Sequence, residues 1–231
     1  MQFETPLIPA TLIKRYKRFL ADVLLDDGTT ITVHCPNTGS MKTCSSPKSP
    51  VMLSVSDNPK RKYPHTLEMI YETGHWVGVN TGLTNKLVAE AIEKGAVKEL
   101  AEVTSLKREV TVSKGSRLDL LVEQQDLKTY IEIKNCSMAI NSCAMFPDAV
   151  TARGTKHLEE LIKIREKGDG AAIFFLIQRG DADHFSPARD IDPTYADTLA
   201  KAKKAGVMIL AYQAEVSPEG IEVATRLPVK L

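Results

Sequence analysis

The chain has 231 residues, of which 43% are hydrophobic and 26% charged, with a formal net charge of +1, which fits one large globular domain or two small ones. No apolar run approaches a membrane span, and the opening residues Met1 to Pro6 have no basic stretch leading into an apolar core, so no spanning helix or secretory signal is expected. The near-neutral charge neither announces nor excludes a nucleic-acid partner, since local patches outweigh the total.

The first 82 residues read as strands broken by turns. Leu20 to Leu25 is a strongly apolar run that ends in Asp26-Asp27-Gly28, and Thr29 to Cys35 is β-branched and alternating, so the two form a predicted hairpin. Val51 to Ser56, Thr66 to Tyr71 and Trp76 to Val79 supply three more strands. About five short strands in this space predict a small β-barrel of the OB type. Two clusters on it, Lys14-Arg15-Tyr16-Lys17-Arg18 and Lys60-Arg61-Lys62-Tyr63, combine cations with an aromatic ring. That combination lets a groove hold phosphates and stack a base, which makes Lys14, Arg15, Lys17, Arg18, Lys60, Arg61 and Lys62 candidate DNA contacts. Asp22, Asp26, Asp27, Asp57 and Glu68 are expected on other faces.

Near residue 82 the pattern changes, giving a division into residues 1–82 and 83–231. Thr84 is read as the cap of a helix carrying Leu87, Val88, Ala91 and Ile92 on one side and Glu90 on the other, with Gly95 as its stop. Strands follow at Glu109 to Ser113, Ser116 to Val122 and Tyr130 to Lys134, then a loop rich in Cys, Asn and Ser. Thr155 is a candidate cap for a second helix, and Ala171 to Ile177 is a continuous apolar run suited to a strand buried on both faces. Asp192-Pro193 opens a third helix, and Val207 to Val216 reads as the last long strand. This order predicts an α/β sandwich with a mixed sheet. The four cysteines show no Cys-x-x-Cys spacing, so reduced thiols in a cytoplasmic protein are expected.

The chemistry concentrates between residues 116 and 134. Glu132 and Lys134 are two apart and share one face of a strand, while Ile131 and Ile133 share the other. Asp119 lies among Leu118, Leu120, Leu121 and Val122, where an unpartnered carboxylate would cost several kcal/mol, so a cation or several hydrogen bonds should lie beside it. If the two strands pair, Asp119, Glu132 and Lys134 form a small divalent-metal site with a cationic neighbour. Glu-x-Lys by itself is also what any half-exposed antiparallel strand looks like.

The arrangement of elements around Asp119, Glu132 and Lys134 resembles the PD-(D/E)xK nuclease fold, with Arg117-Leu118 standing where that pattern has its proline-containing approach. Residues 36–41 (PNTGSM), 61–64 (RKYP), 78–81 (GVNT), 116–119 (SRLD), 132–135 (EIKN) and 146–158 (FPDAVTARGTKHL) form a set spread over nearly the whole chain, and that set resembles the sugar fermentation stimulation protein A family. The resemblance implies an OB-like domain followed by a restriction-endonuclease-like domain, DNA binding without strong sequence preference, and a regulatory link to sugar (maltose) metabolism. Catalysis does not follow from it, since such folds are often kept for binding alone.

As an enzyme the chain would hold Mg²⁺ or Mn²⁺ on Asp119 and Glu132, with the backbone carbonyl of Ile133 and the side chain of Glu90 as further candidate ligands. Lys134 would orient or help deprotonate the attacking water. Arg153, Lys156 and His157 open the second helix, whose N-terminus suits a phosphate. Arg117 is read as a phosphate contact or an ion-pair partner of Asp119, and is expected on the opposite face of the strand from it. The alternative function is a DNA-binding regulator without turnover. His34, Cys35, Cys44 and His65 match no compact zinc spacing. If two copies pair as a homodimer, their symmetry should match two cuts or two DNA contacts.

Overall fold

The computed structural model describes residues 1–113, 115–125 and 127–231. Among them, six strands fill the first third of the chain: β1 (Ile8–Tyr16), β2 (Leu20–Leu25), β3 (Thr30–His34), β4 (Pro50–Val55), β5 (His65–Glu72) and β6 (His75–Gly78). They pair in the order β3-β2-β1-β4-β5-β6, and a parallel bridge from His34 to Thr66 joins β3 to β5. That bridge closes β1 to β5 into an OB-like barrel, filled by Leu12, Val23, Val33, Val51, Leu53 and Leu67. The sequence reading has five strands here and lacks β1. Its alternation of buried Ala10 and Leu12 is broken by a register shift between Leu12 and Lys14, and Pro9 sits near its start. A proline at its start and a bulge in its middle together hide this strand from a period-two search, although it pairs with β2 on one side and β4 on the other.

The remainder of the chain runs α1 (Thr84–Glu93), β7 (Ser105–Ser113), β8 (Ser116–Gln124), β9 (Leu127–Cys136), β10 (Met138–Ile140), β11 (Cys143–Phe146), α2 (Ala152–Glu166), β12 (Gly170–Ile177), β13 (His184–Pro187), α3 (Pro193–Lys204), β14 (Met208–Ser217) and β15 (Gly220–Arg226). The main sheet has the order β15-β14-β12-β9-β8-β7. β12 is parallel to both β9 and β14, and the other neighbours are antiparallel, so the sheet is mixed. All eight residues of β12 are buried. Phe174 and Leu176 pack toward α1, while Ile173, Phe175 and Ile177 pack toward α2 and α3. Each such side chain contributes roughly 1.5–3 kcal/mol of burial, which makes β12 the spine of an α/β sandwich of the restriction-endonuclease-like kind.

Three details differ from the sequence reading. The chain enters α1 through a 3₁₀ turn at Thr81–Leu83 whose cap is Asn80, accepting from the Gly82 N–H, so Thr84 is a helical residue and not a cap. α2 begins earlier than expected: Thr151 accepts from the Gly154 N–H, and Thr155 lies inside the helix. The Cys/Asn/Ser-rich loop is largely a hairpin of β10 and β11, which β13 extends into a small three-stranded sheet.

Barrel and sandwich are joined by specific polar contacts. Asp148 Oδ2 accepts from the Ser40 N–H at 2.6 Å. The buried Arg179 guanidinium donates to Thr43 Oγ1 at 3.1 Å and to the Ser137 carbonyl at 2.7 Å. The Gly78 N–H donates to the Gln178 carbonyl at 2.8 Å. A Cβ on Gly78 would stand 2.5 Å from Gln178 Oε1, so the close approach of β6 to the end of β12 requires glycine there.

Candidate metal and nucleic-acid site

β8 and β9 pair from the Gln124–Leu127 rung as far as Leu120–Ile131. Beyond that rung the Ile133 N–H donates to Asp119 Oδ2 at 2.7 Å. A side-chain carboxylate thus takes the place of a strand rung, and the two strands part around it. β8 twists at the same point: Leu120 and Val122 belong to the α1 core, whereas Leu118, of the same parity, belongs to the α2 and α3 core.

The second oxygen of Asp119 accepts from Asn85 Nδ2 at 2.8 Å. Burial raises the Asp119 carboxyl above its ordinary value, the nearby Glu132 charge adds to that, and the Ile133 and Asn85 donors and the Lys134 charge offset it only in part. Glu132 goes the other way. Burial pushes it up, but the hydrogen bond with His157 and the Lys134 ammonium outweigh that and hold it below its ordinary value. Oε1 of Glu132 meets Lys134 Nζ at 2.5 Å and also His157 Nδ1. Oε2 is buried and has no partner among the described residues. Two neighbouring carboxylates pushed in opposite directions by their surroundings are a frequent mark of a working site.

An open cleft of about 690 Å³ leads to this pair, lined by Glu109, Arg117, Asp119, Arg153, Lys156 and His157 among others. It brings Arg117, Arg153 and Lys156 together with Asp119, at the first turns of α2. Arg117 and Asp119 both face it, so the expected opposite orientation is wrong; residues two apart on a strand share a face. Arg117 pairs with Glu109 at 2.6 Å, not with Asp119.

Several expected site residues lie elsewhere or are engaged by other groups. Glu90 pairs with Lys94 at 2.7 Å and with the Met1 amino nitrogen at 3.2 Å, near β15. It follows Asn85 by five residues, about 140° around the helix, so it cannot share the face that meets Asp119. His157 does line the cleft, but it is only 6% exposed, with Nδ1 on Glu132 and Nε2 accepting from Arg153 Nε at 3.5 Å, so its ring is engaged on both sides. Arg15 is a structural clamp whose guanidinium donates to the carbonyls of Arg18, Asn37 and Gly39 at 2.5, 2.7 and 2.8 Å. Asp22 is not on another face from the basic cluster, since it lies 3.6 Å from Lys14 Nζ and accepts from Tyr16 and Thr32.

Lys17 and Arg18 form the β1–β2 turn, both with positive φ. Lys60 and Lys62 are in the β4–β5 loop, where Arg61 donates to Thr66 Oγ1 at 2.9 Å. Because His34 pairs with Leu20 on one side and Thr66 on the other, both basic segments flank the same end of the barrel. The residue that sequence reasoning misses is Asn85. An Asn at a helix start reads as a capping residue, and no local pattern points it at Asp119.

Among the described residues no three His, Cys, Asp or Glu side chains form a ready cage for a metal, and no helix is long and apolar enough to cross a membrane. The pair Asp119 and Glu132 nevertheless fits a hard divalent cation. Such ions take few carboxylates and fill the remaining positions with water and substrate oxygens, and Glu132 Oε2 is a buried anionic oxygen lacking a donor.

Two family models match the chain: the SfsA N-terminal OB domain over residues 13–79 and the sugar fermentation stimulation protein RE domain over residues 82–220. A sugar fermentation stimulation protein homolog of Desulfotalea psychrophila is 68% identical over 216 residues, covering 94% of this chain and 92% of the relative. That of Geobacter sulfurreducens is 51% identical, covering 97% and 96%. The structure of Pyrococcus furiosus SfsA in complex with Ca²⁺ is similar to this one with a TM-score of 0.90 at 29% identity, covering 100% of this chain and 98% of that one.

Proposed function

From the premise that this chain belongs to the sugar fermentation stimulation protein family, we propose that it binds DNA largely without sequence preference. We propose also that it holds a divalent cation on Asp119 and Glu132 to hydrolyse phosphodiester bonds. One observation carries this reading. Glu132 is a buried carboxylate with one oxygen committed to Lys134 and His157 and the other without a donor, beside a second carboxylate at the foot of a cationic cleft. Leaving such an oxygen unpaired is costly, and Mg²⁺ or Mn²⁺ would satisfy it, with the Ile133 carbonyl as a further candidate ligand. The Ca²⁺ complex of the Pyrococcus furiosus relative supports the binding of an oxygen-seeking cation by a chain of this fold.

When bound, the cation would polarise a phosphate oxygen and lower the pKa of a water. The chain's own residues supply the rest. Arg117, Arg153 and Lys156 hold phosphates along the cleft, helped by the free amides at the start of α2. Asn85 and the Ile133 amide fix the Asp119 carboxylate in the split between the strands. Lys134, only 14% exposed, sets a positive charge where the transition state gathers negative charge. Lys14, Lys17, Arg18, Lys60 and Lys62 extend the grip along the end of the barrel. The name carried by the relatives supports a link to sugar fermentation, which we propose the protein exerts as a DNA-binding regulator in the cytoplasm.

A second reading, DNA binding without turnover, draws on the same contact: Lys134 is held on Glu132 at 2.5 Å and is occupied as an ion-pair partner. One experiment separates the two. Binding to duplex and single-stranded DNA is followed across a salt series, and cleavage is followed with Mn²⁺ for the natural chain, Asp119→Ala and Lys134→Ala. The nuclease reading expects affinity that falls steeply with salt and cleavage lost in both variants. Salt-dependent binding without cleavage of any substrate leaves the second reading, and no DNA binding at all ends both.

A further inference from the structure

A second cavity of about 270 Å³ lies where the barrel meets the end of β9. Asn37 and Gly39 of the barrel loop face Asn135 and Met138, which follow Lys134 in the chain, and Phe146 and Asp148 of the segment that leads into α2. Lys134 thus precedes one wall of this cavity, and Arg153 and Lys156 of the cationic cleft follow another.

Its walls combine free edge-type hydrogen-bonding groups with flat apolar faces. Asn37 is 4% exposed; its Oδ1 accepts from the Gly39 N–H at 2.9 Å, and its Nδ2 has no partner among the described residues. Asn135 Oδ1 accepts from Gln178 Nε2 at 2.6 Å, which orients the amide and leaves its own N–H₂ to donate. Asp148 uses Oδ2 for the Ser40 N–H at 2.6 Å and the Met41 N–H at 3.4 Å, so Oδ1 remains an acceptor. A Cβ on Gly39 would lie 2.5 Å from Asp148 Oδ2 and 3.0 Å from Asn37 Oδ1, so glycine keeps the loop seated against the carboxylate. The apolar lining comes from Phe146, whose ring is braced by Phe175 and Tyr195, and from Met138 and Met145, residue types well suited to a π face.

We propose that this cavity, at the end of the strand that carries Glu132 and Lys134, receives one unstacked nucleobase of the bound DNA strand. The proposal rests on the DNA-binding reading above and adds a substrate preference to it. A base carries donors and acceptors on its edge and a π surface on each side, and side-chain amides and carboxylates are the groups that read such edges. The cavity is too small for a base pair. Taking a base out of the stack costs a few kcal/mol in a paired duplex and least at a mismatch, a frayed end or a single strand. Those are therefore the DNA forms the site favours.

The test uses the full chain and oligonucleotides carrying 2-aminopurine at successive positions, with emission and anisotropy read from the same sample in Ca²⁺. Unstacking raises 2-aminopurine emission, and anisotropy reports binding independently. The expected result is a several-fold rise in emission at one position, larger for mismatched than for paired DNA. Asn135→Ala should lose the rise and bind roughly fivefold more weakly, the factor for one net hydrogen bond. Thr38→Trp, at an exposed position on the cavity mouth, should lose it without touching the core. Bound DNA with no rise at any position overturns the pocket and leaves the DNA-binding reading standing. A full rise in both variants places the unstacked base elsewhere and overturns it too. Absence of binding overturns both, and loss of the rise to free nucleoside at equal concentration would show a nucleoside site instead.

Discussion

Asn85, on the first turn of α1, donates to Asp119 Oδ1 at 2.8 Å and ties the helix that follows the barrel to the carboxylate in the split between β8 and β9. Asn85→Ala removes one of two donors from a carboxyl that burial already pushes upward. Losing a hydrogen bond of about 1 kcal/mol should weaken Mn²⁺ binding roughly fivefold, measured by titration calorimetry on the DNA-free protein. An unchanged Mn²⁺ affinity would retire this role for Asn85.

Removing the carboxylate or the ammonium should be far more severe. Asp119→Ala and Lys134→Ala are each expected to lower metal-dependent cleavage by on the order of 10²-fold or more, read as nicking of supercoiled plasmid in Mn²⁺. Lys134→Ala also strips Glu132 of a partner in a buried setting, so its melting temperature should fall as well.

Arg15 and its neighbours in the basic cluster should separate cleanly. Arg15→Ala deprives several loop carbonyls of a shared guanidinium and should cost about 2–3 kcal/mol in denaturant unfolding. Arg15→Lys should not restore it, because an ammonium lacks the planar fork. Lys17→Ala, by contrast, should leave stability within about 0.5 kcal/mol and lower the salt slope of DNA binding by about 1. A stable Arg15→Ala variant would contradict the clamp.

Acid stability should carry the mark of Asp181. Burial pushes its carboxyl up, but the hydrogen bonds from Arg179 and Thr73 and the Arg179 charge outweigh it and lower it from 3.8 to about 2. A carboxyl depressed on folding contributes stability that is complete above its unfolded value and is lost as pH falls through its folded value. That contribution should be present above about pH 4, decline toward pH 2, and amount to about 2 kcal/mol. Asp181→Asn should remove it at neutral pH and flatten the profile in that window, as read by urea unfolding at several pH values.

The sequence shows the parts with a local signature. The β12 run is apolar throughout because both of its faces are buried; alternation puts Glu132 and Lys134 on one face, as in any half-exposed strand, and Asp119 stands out by its apolar neighbours. What it hides depends on partners far along the chain. Glu90 reads as well as any helical acid, and only the rotation of α1 shows that Asn85 is the residue meeting Asp119. Arg15 is one of four cations in a run of five residues, and its commitment to loop carbonyls is visible only once that loop is folded back on it. His157 sits in a helix start suited to a phosphate, yet its ring is drawn inward by a glutamate 25 residues earlier.

The Ser40–Asp148, Arg179–Thr43 and Gly78–Gln178 contacts make the two halves a poor subject for exchange. A barrel grafted from another protein would lack the loop that Asp148 grips and the glycine that admits Gln178. The recipient would be left with a buried guanidinium and an amide facing unmatched surface. Substitutions on the two sides of this seam should therefore travel together, and the pair should be inherited as one unit even though each half could be drawn as a domain of its own.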